Sequence, residues 1–371
     1  MKKFRHATLI IMIASMLLLM LAACGNGNGS GGSDGDGLKI VIVTSGSSVD
    51  DGSFQQNNYE GILDFIADSS PESAVTAVTS NDIATSLQDV EAVVADYDVI
   101  VVPGFQFSII SSIALDNPDK FFILVDSDPV EIDGQTVFDN IYAMTFKEHD
   151  SGFCAGIAAA METTTGKVAF IGGIAFPAVV NYQFGFDAGV RYANENLGTN
   201  AEIVELPAFA GTDVRDINVG GNYINDFGDQ AQGKVVAEAL IAEGVDILFV
   251  AAGGAGLGAF TAAKEATGVM IIGCDVDQYN EGVYAGGNVV LTSGIKNMRI
   301  NVTRQLNAIA DGTFKGGNYL LGADTDSTGF ISAAGRHQLS ADTLSALNDA
   351  FAKVKSGEIQ PPGNFDPGNM G

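Results

Sequence analysis

From Lys39 onward, short apolar runs alternate with segments whose apolar residues recur at helical spacing. This alternation restricts the chain to parallel sheets joined by crossover helices. Runs at residues 40–43, 74–78, 98–102, 121–125 and 141–146 read as strands. Tyr59, Ile62, Leu63 and Ile66 mark a helix after the first strand, and a second helix runs from a cap at Asn81 or Asp82 to Ala95. These units cover about 110 residues, enough for one complete lobe.

A second series follows. A helix opens at His149-Asp150-Ser151, carries the small residues Gly152, Ala155, Gly156, Ala158, Ala159 and Ala160, and stops at Thr165-Gly166, where glycine suits a left-handed cap. Strands are expected at 167–171, 202–206, 246–251 and 269–273, with helices at 178–194, 230–242 and 258–266. Residues 207–228 are longer and more polar than such a connection needs, and read as an inserted loop. A strand at 289–292, a helix at 297–310, a segment at 330–334 and a helix at 341–355 complete the fold, before a Pro/Gly-rich tail at 361–371. The expected architecture is α/β with two lobes, each a parallel sheet flanked by helices, and a ligand cleft between them. The first lobe takes residues 38–147 and 275–325, the second 148–274 and 326–360. In all, 371 residues suffice for two such cores.

The beginning of the chain is a processing segment. Lys2, Lys3 and Arg5 precede an apolar run at 7–20, and Leu21-Ala22-Ala23-Cys24-Gly25 brings small residues up to a cysteine. This pattern resembles the lipobox of bacterial lipoproteins. Residues 1–23 are expected to be a cleaved leader, Cys24 the lipidated N-terminus, and residues 24–37 a flexible Gly/Ser/Asn/Asp tether. The mature protein then sits on the extracytoplasmic face of the cell membrane. Cys154 and Cys274 have apolar or small neighbours and are expected as buried free thiols, and no zinc spacing occurs. With 18 Lys+Arg against 45 Asp+Glu, a net charge of −27 repels nucleic acid and anionic membrane surfaces.

The first strand leads into a polar, glycine-bearing loop from Thr44 to Gln56, placed where open α/β sheets hold ligands. Phe54 stands in this loop rather than on a periodic apolar face, and is expected as a stacking surface.

Several stretches then carry a resemblance. They are Val49-Asp50-Asp51-Gly52-Ser53-Phe54-Gln55-Gln56 with Tyr59-Glu60-Gly61, Ser151-Gly152-Phe153-Cys154-Ala155-Gly156 and the run from Thr165 to Gly173. Farther on come Ala252-Gly253-Gly254-Ala255-Gly256, Asp275-Val276-Asp277-Gln278, and Leu291-Thr292-Ser293 with Lys296. In this order and spacing the chain resembles the basic membrane protein family of ABC-transporter substrate-binding lipoproteins, whose better-understood members bind purine nucleosides. The resemblance implies a type I periplasmic-binding-protein fold that closes on its ligand. It also implies a permease pair and a cytoplasmic ATPase as partners, and no cofactor, metal or catalytic residue. By position, Phe54 would be one stacking ring, with Phe249 as the second and Phe176 and Phe227 as rivals. Asp126 would be a polar contact, Asp275 and Lys296 would hold ribose hydroxyls, and Gly253 and Gly254 would admit close backbone approach. Asp51 belongs to the same loop motif, while Asp50 is expected to cap the following helix. Ser45 and Gln55 stand where the nucleoside binders commonly carry Asp and Asn. The resemblance sets both against the base, which leaves the ribose end intact and the base preference open.

Other readings compete. Gly254-Ala255-Gly256-Leu257-Gly258-Ala259 fits a dinucleotide fingerprint with Asp275 beyond it, but no catalytic set converges there and the leader exports the chain from the NAD pool. A nucleoside hydrolase would need more carboxylates than Asp50-Asp51 supply. A binder of another sugar-containing ligand, or a sensor, shares the same fold.

Overall fold

The computed structural model describes residues 37–80 and 82–364. The leader, Cys24, the tether up to Asp36, Asn81 and the tail beyond 364 lie outside the described residues. The chain starts with β1 (Lys39–Ser45), α1 (Phe54–Asp68), β2 (Ala74–Ser80), α2 (Ser86–Val93) and β3 (Val99–Pro103). α3 (Ser111–Asp116), β4 (Phe121–Val125) and β5 (Ile141–Phe146) follow. Next come α4 (Glu148–Glu162), β6 (Lys167–Gly172), α5 (Pro177–Asn196), β7 (Glu202–Ile203) and a hairpin of β8 (Gly211–Thr212) and β9 (Asn218–Gly220). α6 (Gln230–Ala242), β10 (Ile247–Ala251), α7 (Leu257–Glu265) and β11 (Met270–Gly273) precede a small hairpin of β12 (Val283–Tyr284) and β13 (Gly287–Asn288). The chain closes with β14 (Val290–Lys296), α8 (Met298–Ala310), β15 (Gly317–Leu321), β16 (Thr328–Phe330) and α9 (Ala341–Ser356).

Two six-stranded sheets result, in the orders β15-β5-β4-β3-β1-β2 and β16-β14-β11-β10-β6-β7. All pairings within them are parallel except β14 with β16. The central strands are apolar throughout because helices cover both faces. Ile40 and Ile42 meet Ile62, Phe65, Met298 and Val302 on one face. Val41 and Val43 meet Val90, Phe107 and Ile110 on the other. In each sheet the order reverses beside the first strand of its series, β1 next to β3 and β6 next to β10. Loops diverge at such a reversal and leave a crevice at the strand C-termini. No helix among the described residues is long and apolar enough to cross a membrane.

One expectation is corrected, and one strand was not anticipated. The chain returns to the first lobe after Lys296 rather than near residue 274, because β14 pairs with β11 inside the second sheet. Strand β15, which carries no strong apolar run, adds an edge to the first sheet beside β5. A strand's own pattern says that one face is buried but not which neighbour it joins.

α4 and α5 approach so closely that their glycines touch the facing backbone. A Cβ at Gly189 would lie 2.1 Å from the Phe153 carbonyl oxygen. Gly189→Ala is therefore expected to cost about 1–3 kcal/mol through forced separation of the two helices. A chemical-denaturation midpoint equal to that of the unaltered chain would refute this close packing.

Candidate functional site

The loop after β1 is held by its own hydrogen bonds. Asp51 Oδ1 accepts from the N–H groups of Ser53 (2.9 Å) and Gln56 (3.1 Å). Its Oδ2 accepts from the Gln55 N–H (3.0 Å) and the Ser47 hydroxyl (3.1 Å). Burial pushes this carboxyl upward, and the four hydrogen bonds oppose the shift. Asp51, and not Asp50, thus secures the start of α1, where orphan N–H groups need acceptors. It lines the cleft, but its oxygens are spent on the loop. Asp50 is exposed and accepts from the Ser48 hydroxyl.

The cavity lies where the two reversal points face each other. Its walls come from Ser45, Ser47, Phe54 and Gln55 after β1, Pro103 to Gln106 after β3, and Asp126 after β4. From the other lobe come Phe176, Tyr182, Phe227, Ala251, Gly253 and the Cys274-Asp275 pair, with Lys296 at the end of β14. It encloses about 650 Å³ of space, its open mouth included.

Lys296 forms the floor. It is 2% exposed, and its Nζ lies 2.5 Å from Asp126 Oδ2, 3.7 Å from Glu148 Oε1 and 3.7 Å from Asp275 Oδ1. Burial works against the ammonium, but the three carboxylates outweigh it and hold its pKa above that of an ordinary lysine. The same Nζ stands 4.9 Å from the Phe54 ring centroid and 5.6 Å from that of Tyr182, within cation–π range. Asp126 and Asp275 each follow a strand in left-handed backbone, at φ 64° and 67°. Such geometry is uncommon outside glycine, and it stands here at the ends of the strands that carry the polar contacts. Asp275 also accepts from the hydroxyls of Tyr182 (3.0 Å) and Ser53 (3.3 Å), so elements from both lobes converge on it.

Above this floor the cavity is aromatic. Phe105 of the first lobe meets Phe176 of the second at 5.4 Å between centroids, and Phe176 meets Phe227 at 6.0 Å. Phe227, one of the two rivals for the second ring, stands near the end of the inserted stretch. Phe249, expected as the second stacking ring, lies elsewhere. It is fully buried in the second lobe's core, with Phe170, Tyr182 and Phe186 each 5.7 Å away between centroids. Residues alternate faces along a strand, and β10 turns Phe249 toward the α4–α5 face. Gly253 lines the cavity in left-handed backbone (φ 52°), whereas Gly254 does not line it and instead approaches Asp51 and Ser47 of the opposite loop.

Four contributors had no expectation attached. Phe105 and Gln106 follow Pro103-Gly104 at a strand C-terminus, a position that in hindsight signals the crevice. Tyr182 and Glu148 sit on helices with no distinguishing spacing. Only the packing of α4 and α5 brings them to Lys296.

A family profile described as ABC transporter substrate-binding protein PnrA-like, the Bmp family, matches residues 38–206 and 213–364. The chain is 31% identical over 344 residues to the CD4+ T-cell-stimulating antigen of Listeria monocytogenes, covering 87% of each protein. It is 30% identical over 338 residues to the ABC transporter nucleoside-binding protein BmpA of Lactococcus lactis, covering 86% of each. It is 28% identical over 335 residues to basic membrane protein A of Borreliella burgdorferi, covering 88% of each. In fold it is similar to a solute-binding protein of an ABC transporter system from Aeropyrum pernix K1, with TM-score 0.73 and 22% identity, covering 89% of this chain and 95% of that one. The family's members are receptors and not enzymes, which sets aside the dehydrogenase and hydrolase readings. The two-lobed cleft and the match over nearly all described residues lead to one assignment: the chain belongs to the Bmp family of PnrA-like substrate-binding proteins of ABC transporters.

Proposed function

We propose that the cleft binds a nucleoside, sugar end down on Lys296, Asp126 and Asp275, with the base among Phe54, Phe105, Phe176 and Phe227. The observation that carries this reading is Asp126 Oδ1. It is buried at the cavity floor and has no hydrogen-bond partner among the described residues, while its sister oxygen holds Lys296. A buried acceptor in that state is costly unless a donor arrives, and a sugar hydroxyl is such a donor. At the other end, Gln55 Oε1 is also buried without a partner among the described residues, while its Nε2 donates to the Ser45 carbonyl at 3.4 Å. Ser45 is a neutral hydroxyl that accepts from Ser86 Oγ at 2.6 Å. With Asp51 already saturated, this end offers a neutral acceptor, which suits a ring N–H of an uncharged base. The aromatic walls supply the apolar faces, and the lactococcal relative's nucleoside-binding name supports the reading. We assign the mature protein to the outer face of the membrane through a lipid on Cys24, delivering its ligand to a permease and ATPase that this chain does not encode.

The test is melting of the purified protein with inosine, guanosine, adenosine, uridine, free bases, ribose and other sugars. Binding to the folded state alone stabilises by about 2.7 kcal/mol at a hundredfold excess over Kd. Nucleosides are expected to raise the midpoint where free bases and ribose do not. A response confined to non-nucleoside solutes overturns the assignment and spares the fold.

A further inference from the structure

We propose that Glu148, which does not line the cavity, is a positioning residue that stays protonated at neutral pH and so leaves Lys296 to Asp126 and the ligand, and that its ionisation in alkaline solution weakens binding. The argument begins with charge. One ammonium faces three largely buried carboxyl groups, and three carboxylates against one cation leave two negative charges uncompensated there. One proton on the cluster removes half of that excess.

Geometry selects its site. Burial pushes the Asp126 carboxyl upward too, but it is the nearest partner of Nζ at 2.5 Å, and that contact opposes the shift. Asp275 already accepts two hydroxyl hydrogen bonds, from Tyr182 and Ser53. Glu148 is 2% exposed, sits farther from Nζ at 3.7 Å, and accepts from the neutral Asn181 amide at 3.3 Å. The groups facing it from neighbouring elements are Lys296 on β14, Asp126 after β4, Asp275 after β11, and Asn181 with Tyr182 on α5. His149 and Asp150 follow it on α4. Tyr182 is kept neutral by burial. Burial pushes the Glu148 carboxyl up to about 8, with Lys296 opposing the shift and Asp126 reinforcing it. Glu148 also opens α4, the helix that carries the chain from the first lobe to the second, so its charge acts at a crossover.

An acid raised in the folded state binds its proton more tightly there than in the unfolded chain. Its contribution to stability is therefore full below the unfolded value near 4.5 and is lost as pH rises toward about 8. The experiment compares the full chain with Glu148→Gln, which mimics the protonated form. Without ligand, the melting midpoint of the unaltered protein should fall between pH 6 and 9 by several degrees more than that of the variant. At pH 6 the variant should melt no lower. Inosine affinity should fall above pH 8 more steeply for the unaltered protein than for the Glu148→Gln variant, by up to the tenfold per pH unit of one proton, since ionisation of the base is common to both.

Superimposable melting profiles, or a variant that is already destabilised at pH 6, overturn the proposal, the latter because it identifies an ionised partner of Lys296. Should the variant not fold, carboxyl-labelled glutamate NMR on the unaltered protein decides. One resonance titrating near pH 8 supports the proposal, and all titrating in the ordinary range refutes it. The affinity arm rests on the nucleoside reading and the melting and NMR arms do not, so failure of inosine to bind at any pH counts against that reading alone.

Discussion

Lys296→Met is expected to lower stability by about 3–5 kcal/mol and to weaken ligand binding at least a hundredfold, read by denaturation and calorimetry. The stability figure is that of removing one partner from a buried ion pair, because the remaining charges stay buried without compensation. Here Asp126, Glu148 and Asp275 would face one another around an apolar thioether. The loss should therefore be greatest at neutral to alkaline pH and should shrink as acid protonates the carboxyls. On the proposed nucleoside reading, the ammonium both holds Asp126 in place and would present a donor to the sugar. The double variant Lys296→Met with Asp126→Asn should recover part of the stability and none of the affinity, since it removes a charge without restoring the donor. Additive stability effects of the two changes would show that they do not form a unit.

Phe54→Ala should divide its effects the other way. Stacking of a base on an aromatic side chain is worth about 1–3 kcal/mol, so affinity should fall roughly 5- to 150-fold. The ring is half-buried at the first position of α1 and its loss leaves the core beneath mostly intact, so the melting midpoint should move little. Phe249→Ala is the control. That ring is fully buried, and truncating a core phenylalanine costs about 3–5 kcal/mol, with no direct contact to the ligand lost. Equal loss of affinity in folded samples of both variants would remove Phe54 from the site.

Cleft size alone would not have separated these two phenylalanines. Phe54 is visible in the sequence because it interrupts a polar loop after a first strand. Phe249 lies in a run, Ile247 to Ala251, whose every residue is buried, and an all-apolar strand does not reveal which of its residues face the ligand end. Phe176 and Phe227 were rivals for the same reason: each sits outside a strand, and their meeting depends on where the inserted stretch folds back. The same limit applies to Asp50 and Asp51. Adjacent aspartates at a helix start are equivalent by pattern, and only loop geometry directs four hydrogen bonds to the second.

The chain's own order of residues determined most strands and helices of both lobes and the loop after β1, while Asp126, Asp275 and Lys296 came forward only through the resemblance to a known family. The elements and the loop are local, set by apolar period and capping chemistry. Tertiary structure alone decided that β14 belongs to the second sheet, that Tyr182 and Glu148 join Lys296, and that the aromatic wall is Phe105, Phe176 and Phe227. Those pairings join residues tens to well over a hundred positions apart. No periodicity encodes them, because each depends on how two complete lobes pack and face one another.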